Sequence, residues 1–367
     1  MSKTTPKKII FVHLLNDFSG SPKVLSQVIK TAQLNGVEVE LFTGNRTAGF
    51  LSDSTKNHHY FIYKRFENKY LTLVSFAFSQ FVLFFKLLQY WRKDADIYVN
   101  TMLPFGAGLA GWVMRKRIIY HIHETYIKPQ VLKTFLRKII QITSSELVFV
   151  SKSVKTLESF NKKKQTIIYN SLPTAYYTAG NDHLYTPIKS EKFNVLMISS
   201  MKAYKGIFEF IDLAKTMKHL NQFTFTLVFN AKQNDIASFF TKTTIPSNVL
   251  MMDKQSDVTP FYKNASLVLN LSRFDECIET FGLTILEALS FGIPVIVPPV
   301  GGPSELIHDG KEGFLISSYE TLVIAQKIED LFNNPEQCME LSINAKNRAL
   351  EFNENTFNKE IMHVLQA

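Results

Sequence analysis

Apolar runs and polar breaks alternate along the chain with a β-α rhythm, and the rhythm runs twice. In the first half, residues 8–14 read as a strand, 22–35 as a helix and 37–42 as the next strand. Residues 96–100 and 117–123 read as later strands separated by a helical 106–114, with another strand at 147–151. A second series opens with a strand at 193–199, a helix at 206–219 and a strand at 223–229. Its later strands are 265–271 and 294–298, and helices over 336–352 and 354–365 follow. Repeated units of this kind build parallel, doubly wound sheets. The expected fold is therefore α/β, with two Rossmann-like domains facing across a cleft and ligands at the carboxyl ends of strands. The first domain is expected over 1–175, a polar, Pro-containing connector over 176–192, and the second domain over 193–351. A C-terminal helix, 352–367, is expected to cross back to the first domain.

The segment 70–91 breaks the rhythm. It runs for 22 residues with one charge, Lys86, which meets the length criterion for a membrane span. The strands on either side are expected to share one sheet, however, and a crossing would split it. Its aromatic load (Phe76, Phe78, Phe81, Phe84, Phe85, Tyr90, Trp91) and its flanking Lys64, Arg65, Lys69, Arg92 and Lys93 suit an interfacial helix. A large buried helix pair packed on the sheet fits the same residues.

Composition narrows the class. The chain has 367 residues, 46% hydrophobic and 20% charged, which is ample for two full cores and excludes wholesale disorder. Two cysteines, Cys277 and Cys338, form neither a disulfide framework nor a metal-ligand spacing, and they suit a reducing cytoplasm. Residues 9–12 follow the first lysines as a short apolar run and lead into a strand rather than a secretory leader. The net charge of +9 hides an asymmetry: residues 1–180 hold 25 Lys+Arg against 10 Asp+Glu, residues 181–367 hold 16 against 22. A first half this basic seeks polyanions. No zinc finger or RNA-recognition signature accompanies it, so the expected partner is an anionic membrane surface, not nucleic acid.

Chemistry concentrates at strand-to-helix turns. Ser19-Gly20-Ser21-Pro22 follows the first strand, with Ser21 as the expected N-cap and backbone N–H groups open to a phosphate or a polar acceptor group. Ser199 through Gly206 follows the first strand of the second series; Lys205 beside Gly206 places an ammonium where a diphosphate would meet a helix end, and Lys202 adds a second cation. His121-Ile122-His123-Glu124 ends a first-domain strand. Alternation points both histidines to one side and Glu124 away, and without a third ligand His123 is expected to orient a ligand or handle a proton, with no metal. Asp94-Ala95-Asp96 lies at the amino end of its strand and reads as a solvated turn. Glu287 lies in an apolar helix opened by Gly282 and closed by Gly292-Ile293-Pro294, so its carboxylate needs a partner. The stretch 256–310 offers only Lys263 and Arg273; a ligand's pair of hydroxyls would serve equally well.

Together these pieces resemble the retaining nucleotide-sugar glycosyltransferases of family 4, which have the GT-B two-domain fold. The hallmark stands as Glu279-Thr280-Phe281-Gly282 through Glu287, with Gly292–Val295 and Gly301–Glu305 downstream. The resemblance implies that Glu287 grips the donor ribose, that Glu279 orients the transferred sugar, and that Lys205 with the Phe281 and Gly282 backbone holds the diphosphate. It puts further donor contacts at Gly20, Lys202, Thr280 and Leu283, weaker acceptor contacts at Ser21 and Glu124, and His123 near the reacting carbon. Catalytic roles fall to His123 and Glu279. One departure stands out: the arginine common in the family before Lys-Gly is Ser200 here, and Lys202 is the substitute at hand. The implied activity is metal-free, cofactor-free transfer from a UDP- or GDP-linked sugar to a saccharide or lipid-linked saccharide, at the cytoplasmic face of a membrane, in surface polysaccharide assembly. A nucleotide-sugar 2-epimerase of the same fold and a non-catalytic nucleotide-sugar-binding protein are the alternatives.

Overall fold

A computed structural model describes residues 8–367. They divide into two compact α/β units: one runs to Asn170 and includes Asn355–Ala367, the other is Ser171–Glu354. The first contains β1 (Lys8–Leu15), β2 (Glu38–Gly44), β3 (His58–Phe61), β4 (Asp96–Asn100), β5 (Ile118–Ile122), β6 (Glu146–Phe149) and β7 (Lys164–Ile167). These strands make one parallel sheet in the order β3-β2-β1-β4-β5-β6-β7. Ile9, Ile10, Phe11 and Val12 of β1 are wholly buried, as a central strand covered on both faces requires.

Two strands of this sheet lie outside the expected set, as do the edge strands Val249–Met252 and Gly313–Leu315 of the second unit. His58-His59-Tyr60-Phe61 and Lys164-Gln165-Thr166-Ile167 are short, polar and partly exposed edge strands, so they lack the apolar run that marks a central strand. The first helix also starts two residues early. Ser19 rather than Ser21 stands at the N-cap position of Gly20–Leu34, without a side-chain capping bond, its N–H (2.9 Å) and hydroxyl both donating to Asp17. Segment 70–91 forms one continuous helix, Lys69–Leu87, with a 3₁₀ turn at Leu88–Tyr90, and is not a helix pair. It is long and apolar enough to cross a membrane, but it joins β3 to β4 of a single sheet.

The second unit holds β8 (Phe193–Ser199), β9 (Phe223–Phe229), β10 (Val249–Met252), β11 (Leu267–Leu269), β12 (Val295–Val297) and β13 (Gly313–Leu315). They are parallel in the order β10-β9-β8-β11-β12-β13. Residues 176–192, read from sequence as a connector, fall inside this unit. Their side chains are tied to it: the Tyr177 hydroxyl donates to the Phe352 carbonyl and the Tyr185 hydroxyl to the Ser266 carbonyl, both at 2.7 Å.

The last helix, Glu354–Gln366, belongs to the first unit, where it buries Phe357, Ile361, Val364 and Leu365 and accepts a 2.6 Å hydrogen bond from the Thr31 hydroxyl at Asn358; an arginine closes its end. The Arg117 guanidinium donates to the carbonyls of Val364 (2.6 Å) and Leu365 (3.4 Å), satisfying acceptors that a helix end leaves open. It also reaches Asp96 at 3.3 Å and the buried Glu146 at 2.8 Å. Removing it strips Glu146 of its best partner and two carbonyls of their donor. Arg117→Ala is expected to lower stability by roughly 3 kcal/mol, read by urea denaturation, with Arg117→Lys recovering part of it. A loss below about 1 kcal/mol would show that the helix is held by apolar packing alone.

Candidate active site

In the second unit the strand order reverses between β8 and β11, and this is where an open α/β sheet leaves a crevice at its carboxyl edge. The turn after β8 closes on itself, with the Lys202 N–H on the Ser200 carbonyl and the Lys205 N–H on the Lys202 carbonyl. Gly206 then takes φ +78°, and a Cβ there would lie 2.0 Å from the Leu271 carbonyl oxygen. Only glycine lets this turn press against the chain leaving β11. The result brings Lys205 Nζ to 2.5 Å from Glu279 Oε2.

That pair sets the electrostatics. Burial pushes the Glu279 carboxyl up, but the adjacent Lys205 ammonium, the Asn270 side chain and the Thr280 N–H outweigh it and hold the group below the usual range. Burial likewise pulls the Lys205 ammonium down, and Glu279 overrides it upward. Glu279 is therefore an anion and Lys205 a cation at neutral pH. Lys202 is exposed, its ammonium 5.6 Å from the Tyr204 ring centroid. Burial raises the Cys277 thiol above its ordinary range, which fits packing and not nucleophilic chemistry.

The loop Glu279-Thr280-Phe281 is clamped by the turn after β12. The Gly302 N–H donates to the Glu279 carbonyl at 2.9 Å, and a Cβ on Gly302 would meet the Phe281 Cα at 2.3 Å. The Gly301-Gly302 turn thus makes its close approach to the neighbouring loop. Phe281 is buried, and from Gly282 the helix Leu283–Ser290 begins. Leu283 stays partly exposed on its first turn, while Glu287 one turn on is 5% exposed. The Glu287 carboxylate accepts a 2.7 Å hydrogen bond from the Tyr262 hydroxyl. The sequence offered Lys263 or Arg273 as its protein partner. Arg273 is instead committed to Glu209 (2.6 Å) and Glu276 (2.8 Å), and a phenol takes its place. Burial and Glu287 drive the Tyr262 phenol well above its ordinary range, so it remains a donor.

The first unit has its own reversal point, between β1 and β4. Here Asn100 joins two predicted positions, Ser21 and His123. Its amide Nδ2 lies 3.2 Å from the Ser21 carbonyl, which can only accept, so Oδ1 is the atom facing His123 Nε2 at 2.9 Å. His123 must then carry its proton on Nε2, leaving the Nδ1 lone pair for other work. Burial, His121 and His13 together lower the His123 pKa well below its ordinary value and keep the ring neutral. The His121 and His123 rings lie 4.2 Å apart, as strand alternation requires, and the Tyr98 hydroxyl holds His121 Nδ1 at 2.8 Å. Gly20 opens the neighbouring helix. Glu124 folds back to accept from the Met102 N–H (2.7 Å) and the His123 N–H (3.2 Å), and burial lifts its carboxyl to about 7.

Sequence reasoning missed Asn100, Asn270, His13 and Tyr262. The first three end or border strands at the two reversal points, a positional signal available once strand order is known. Tyr262 lies in a six-residue helix with no local pattern to mark it. Among the described residues no cluster of three or more His, Cys, Asp or Glu has metal-site geometry.

Residues 182–348 match the family described as glycosyl transferases group 1. The capsular polysaccharide biosynthesis glycosyltransferase CapM of Staphylococcus aureus is 24% identical over 78% of this chain and 79% of its own. An uncharacterized glycosyltransferase of Methanocaldococcus jannaschii is 24% identical over 69% of this chain and 70% of its own. The crystal structure of Anabaena HepE in complex with UDP and glucose superposes with a TM-score of 0.80 at 20% identity, covering 98% of this chain and all of that one. The chain is a GT-B glycosyltransferase.

Glu124 gives this glycosyltransferase a checkable pH signature. Its folded pKa is raised, so the native state keeps a proton that the unfolded state has lost. Stability therefore falls as pH rises from about 4.5 to about 7. Unfolding free energies of the wild type and Glu124→Gln, measured across that window, should diverge in that direction. Parallel curves would show that the carboxyl is ionised throughout.

Proposed function

We propose that the enzyme moves a sugar from a UDP- or GDP-linked donor to a saccharide or lipid-linked saccharide, with retention of anomeric configuration and without a metal, as a cytoplasmic step of surface polysaccharide assembly. One observation carries this reading: the Lys205–Glu279 ion pair stands at the reversal point of the second sheet, on the loop that opens the helix holding the buried Glu287. A cation, an anion and a buried carboxylate there match what a nucleoside diphosphate sugar presents. The ammonium of Lys205 and the N–H groups at the start of Leu283–Ser290 meet the diphosphate, Glu279 takes sugar hydroxyls, and Glu287 takes the ribose diol. The Phe281 and Gly282 backbone joins the phosphate contacts, with Thr280 and Leu283 flanking them. Lys202 supplies the charge absent at Ser200.

In the reaction the bond between the anomeric carbon and the diphosphate oxygen breaks. The acceptor oxygen bonds to that carbon on the same face, and its proton passes to the leaving diphosphate. The residues stabilise charge at both ends: Lys205 and backbone N–H groups on the departing anion, and His123 Nδ1, a neutral acceptor, toward the electron-poor sugar. Ser21 and Glu124, on the first unit with His123, serve the acceptor. The UDP and glucose bound by HepE and the capsule role of CapM support the donor and pathway classes. Both cysteines are free thiols, which supports the cytoplasm.

A thermal-shift panel of nucleoside diphosphates and their sugars tests the donor. One base series should raise Tm by several degrees. Glu287→Ala should abolish that shift while keeping the fold, and Lys202→Ala should weaken donor binding about tenfold, near 1.4 kcal/mol. A Glu287→Ala protein that binds donor normally defeats the ribose assignment. Conversion of the nucleotide sugar with no acceptor present would make the enzyme an epimerase.

A further inference from the structure

We propose that three consecutive helices of the first unit, Lys69–Leu87, Phe105–Val113 and Gln130–Thr143, form a docking surface for an anionic lipid bilayer, with a groove that takes a hydrocarbon chain. The proposal rests on this surface alone and is independent of the donor assignment. A helix on the outside of a soluble domain turns one apolar face inward and a polar face to water. Lys69–Leu87 does not. Phe76, Gln80, Leu83 and Leu87 are buried, while Phe78, Phe81 and Phe85, on the opposite side, are 56, 61 and 53% exposed.

The apolar surface is continuous across the three helices. Phe105 meets Phe76 at 5.7 Å and Phe135 at 5.2 Å between ring centroids, so the helices are riveted edge to face through one ring. Trp112 and Phe135 extend the exposed aromatic area, at 53 and 43% exposed. Between the first two helices runs a groove of about 360 Å³ lined by Ala77, Phe81, Phe84, Phe85, Phe105 and Leu109 among others. That is room for an apolar ligand, and its walls offer almost nothing polar.

Charge decides the occupant. The three helices contain Lys69, Lys86, Lys133, Arg137 and Lys138 and no Asp or Glu; Lys133 and Arg137 pair with the buried Glu158, which leaves Lys69, Lys86 and Lys138 as the cations there without a carboxylate partner among the described residues. Residues 62–143 hold 13 Lys+Arg against 4 Asp+Glu, a net +9 equal to that of the whole chain. Nucleic acid would meet the cations and leave the phenylalanine stripe in water. A second copy would cover the stripe and set these cations against their own kind. An anionic bilayer satisfies both at once. The helix lies on that surface and does not cross it: its start follows β3, its end leads to β4, the Lys86 ammonium donates to the Tyr60 carbonyl at 2.6 Å, and the Tyr90 hydroxyl donates to Glu40.

The test uses the full chain and sedimented vesicles, phosphatidylcholine alone or mixed two to one with phosphatidylglycerol. Wild type should partition at least tenfold more strongly onto the mixed vesicles, and high salt should weaken it. Phe81→Glu with Phe85→Glu, and separately Lys69→Glu with Lys138→Glu, should each cut partitioning tenfold or more, with Tm and nucleotide-induced thermal shift unchanged. In a Trp91→Phe background, Trp112 is the remaining tryptophan, and vesicles with brominated acyl chains should quench it. Equal binding to both vesicle types, phenylalanine variants that bind like wild type, or an unquenched Trp112 would each overturn the proposal. So would a dimer in light scattering that the phenylalanine variants dissolve, since it would make a second copy the occupant.

Discussion

Two parallel sheets whose strand order reverses once impose the geography of this molecule. A parallel sheet needs a crossover after each strand, so every strand ends on the same edge, where turns rather than hydrogen-bonded partners receive the chain. At the reversal the crossovers leave in opposite directions and the edge between them stays uncovered. His13, Asn100, His123 and the start of Gly20–Leu34 gather at one such edge, and Ser199–Lys205, Asn270 and Glu279 at the other. Each group is assembled from segments far apart in sequence; Lys205 and Glu279 are separated by 74 positions. The sites follow from topology first and from residue choice second.

Residue choice then shows in how three glutamates are treated. Glu279 sits against an ammonium and is held ionised, and the Asn270 side chain and the Thr280 N–H add to the effect. Glu124 receives only backbone N–H donors, which do not offset its burial, and its carboxyl rises to about 7. Glu287 is buried against a phenol, a donor that brings no charge of its own. Burying a carboxylate is costly in every case, and the partner decides the outcome. A cation makes a fixed anion suited to orienting hydroxyls. Backbone dipoles alone leave Glu124 able to exchange a proton near neutrality.

The helix Lys69–Leu87 illustrates a limit of composition. Its apolar content fits a membrane span, a core helix and an interfacial helix alike. What separates them is which neighbours it has, and those are set by Phe105 and by the anchoring of both its ends to one sheet. Burial of Phe76 and Leu83 beside exposure of Phe78 and Phe81 appears only once the partner helix is in place.

The central strands were legible in the chain from their apolar, β-branched and aromatic content; 193–199 and 223–229 were readable to the residue. The helix around Glu287 was legible for the same reason, since a lone carboxylate among Leu286, Ala288 and Leu289 contradicts its surroundings. Edge strands β3 and β7 were not, because one exposed side removes the apolar signal. Nor was Ser19 as the N-cap position, since it makes no side-chain capping bond and its hydroxyl turns to Asp17. The partners of the site residues lay beyond any local reading. Tyr262 reaches Glu287 across 25 positions, and Asn100 reaches His123 across 23. Local pattern records what a residue needs, burial or a counter-charge. Which atom meets that need is a matter of distance in space, and only the packed sheets and their crossovers set it.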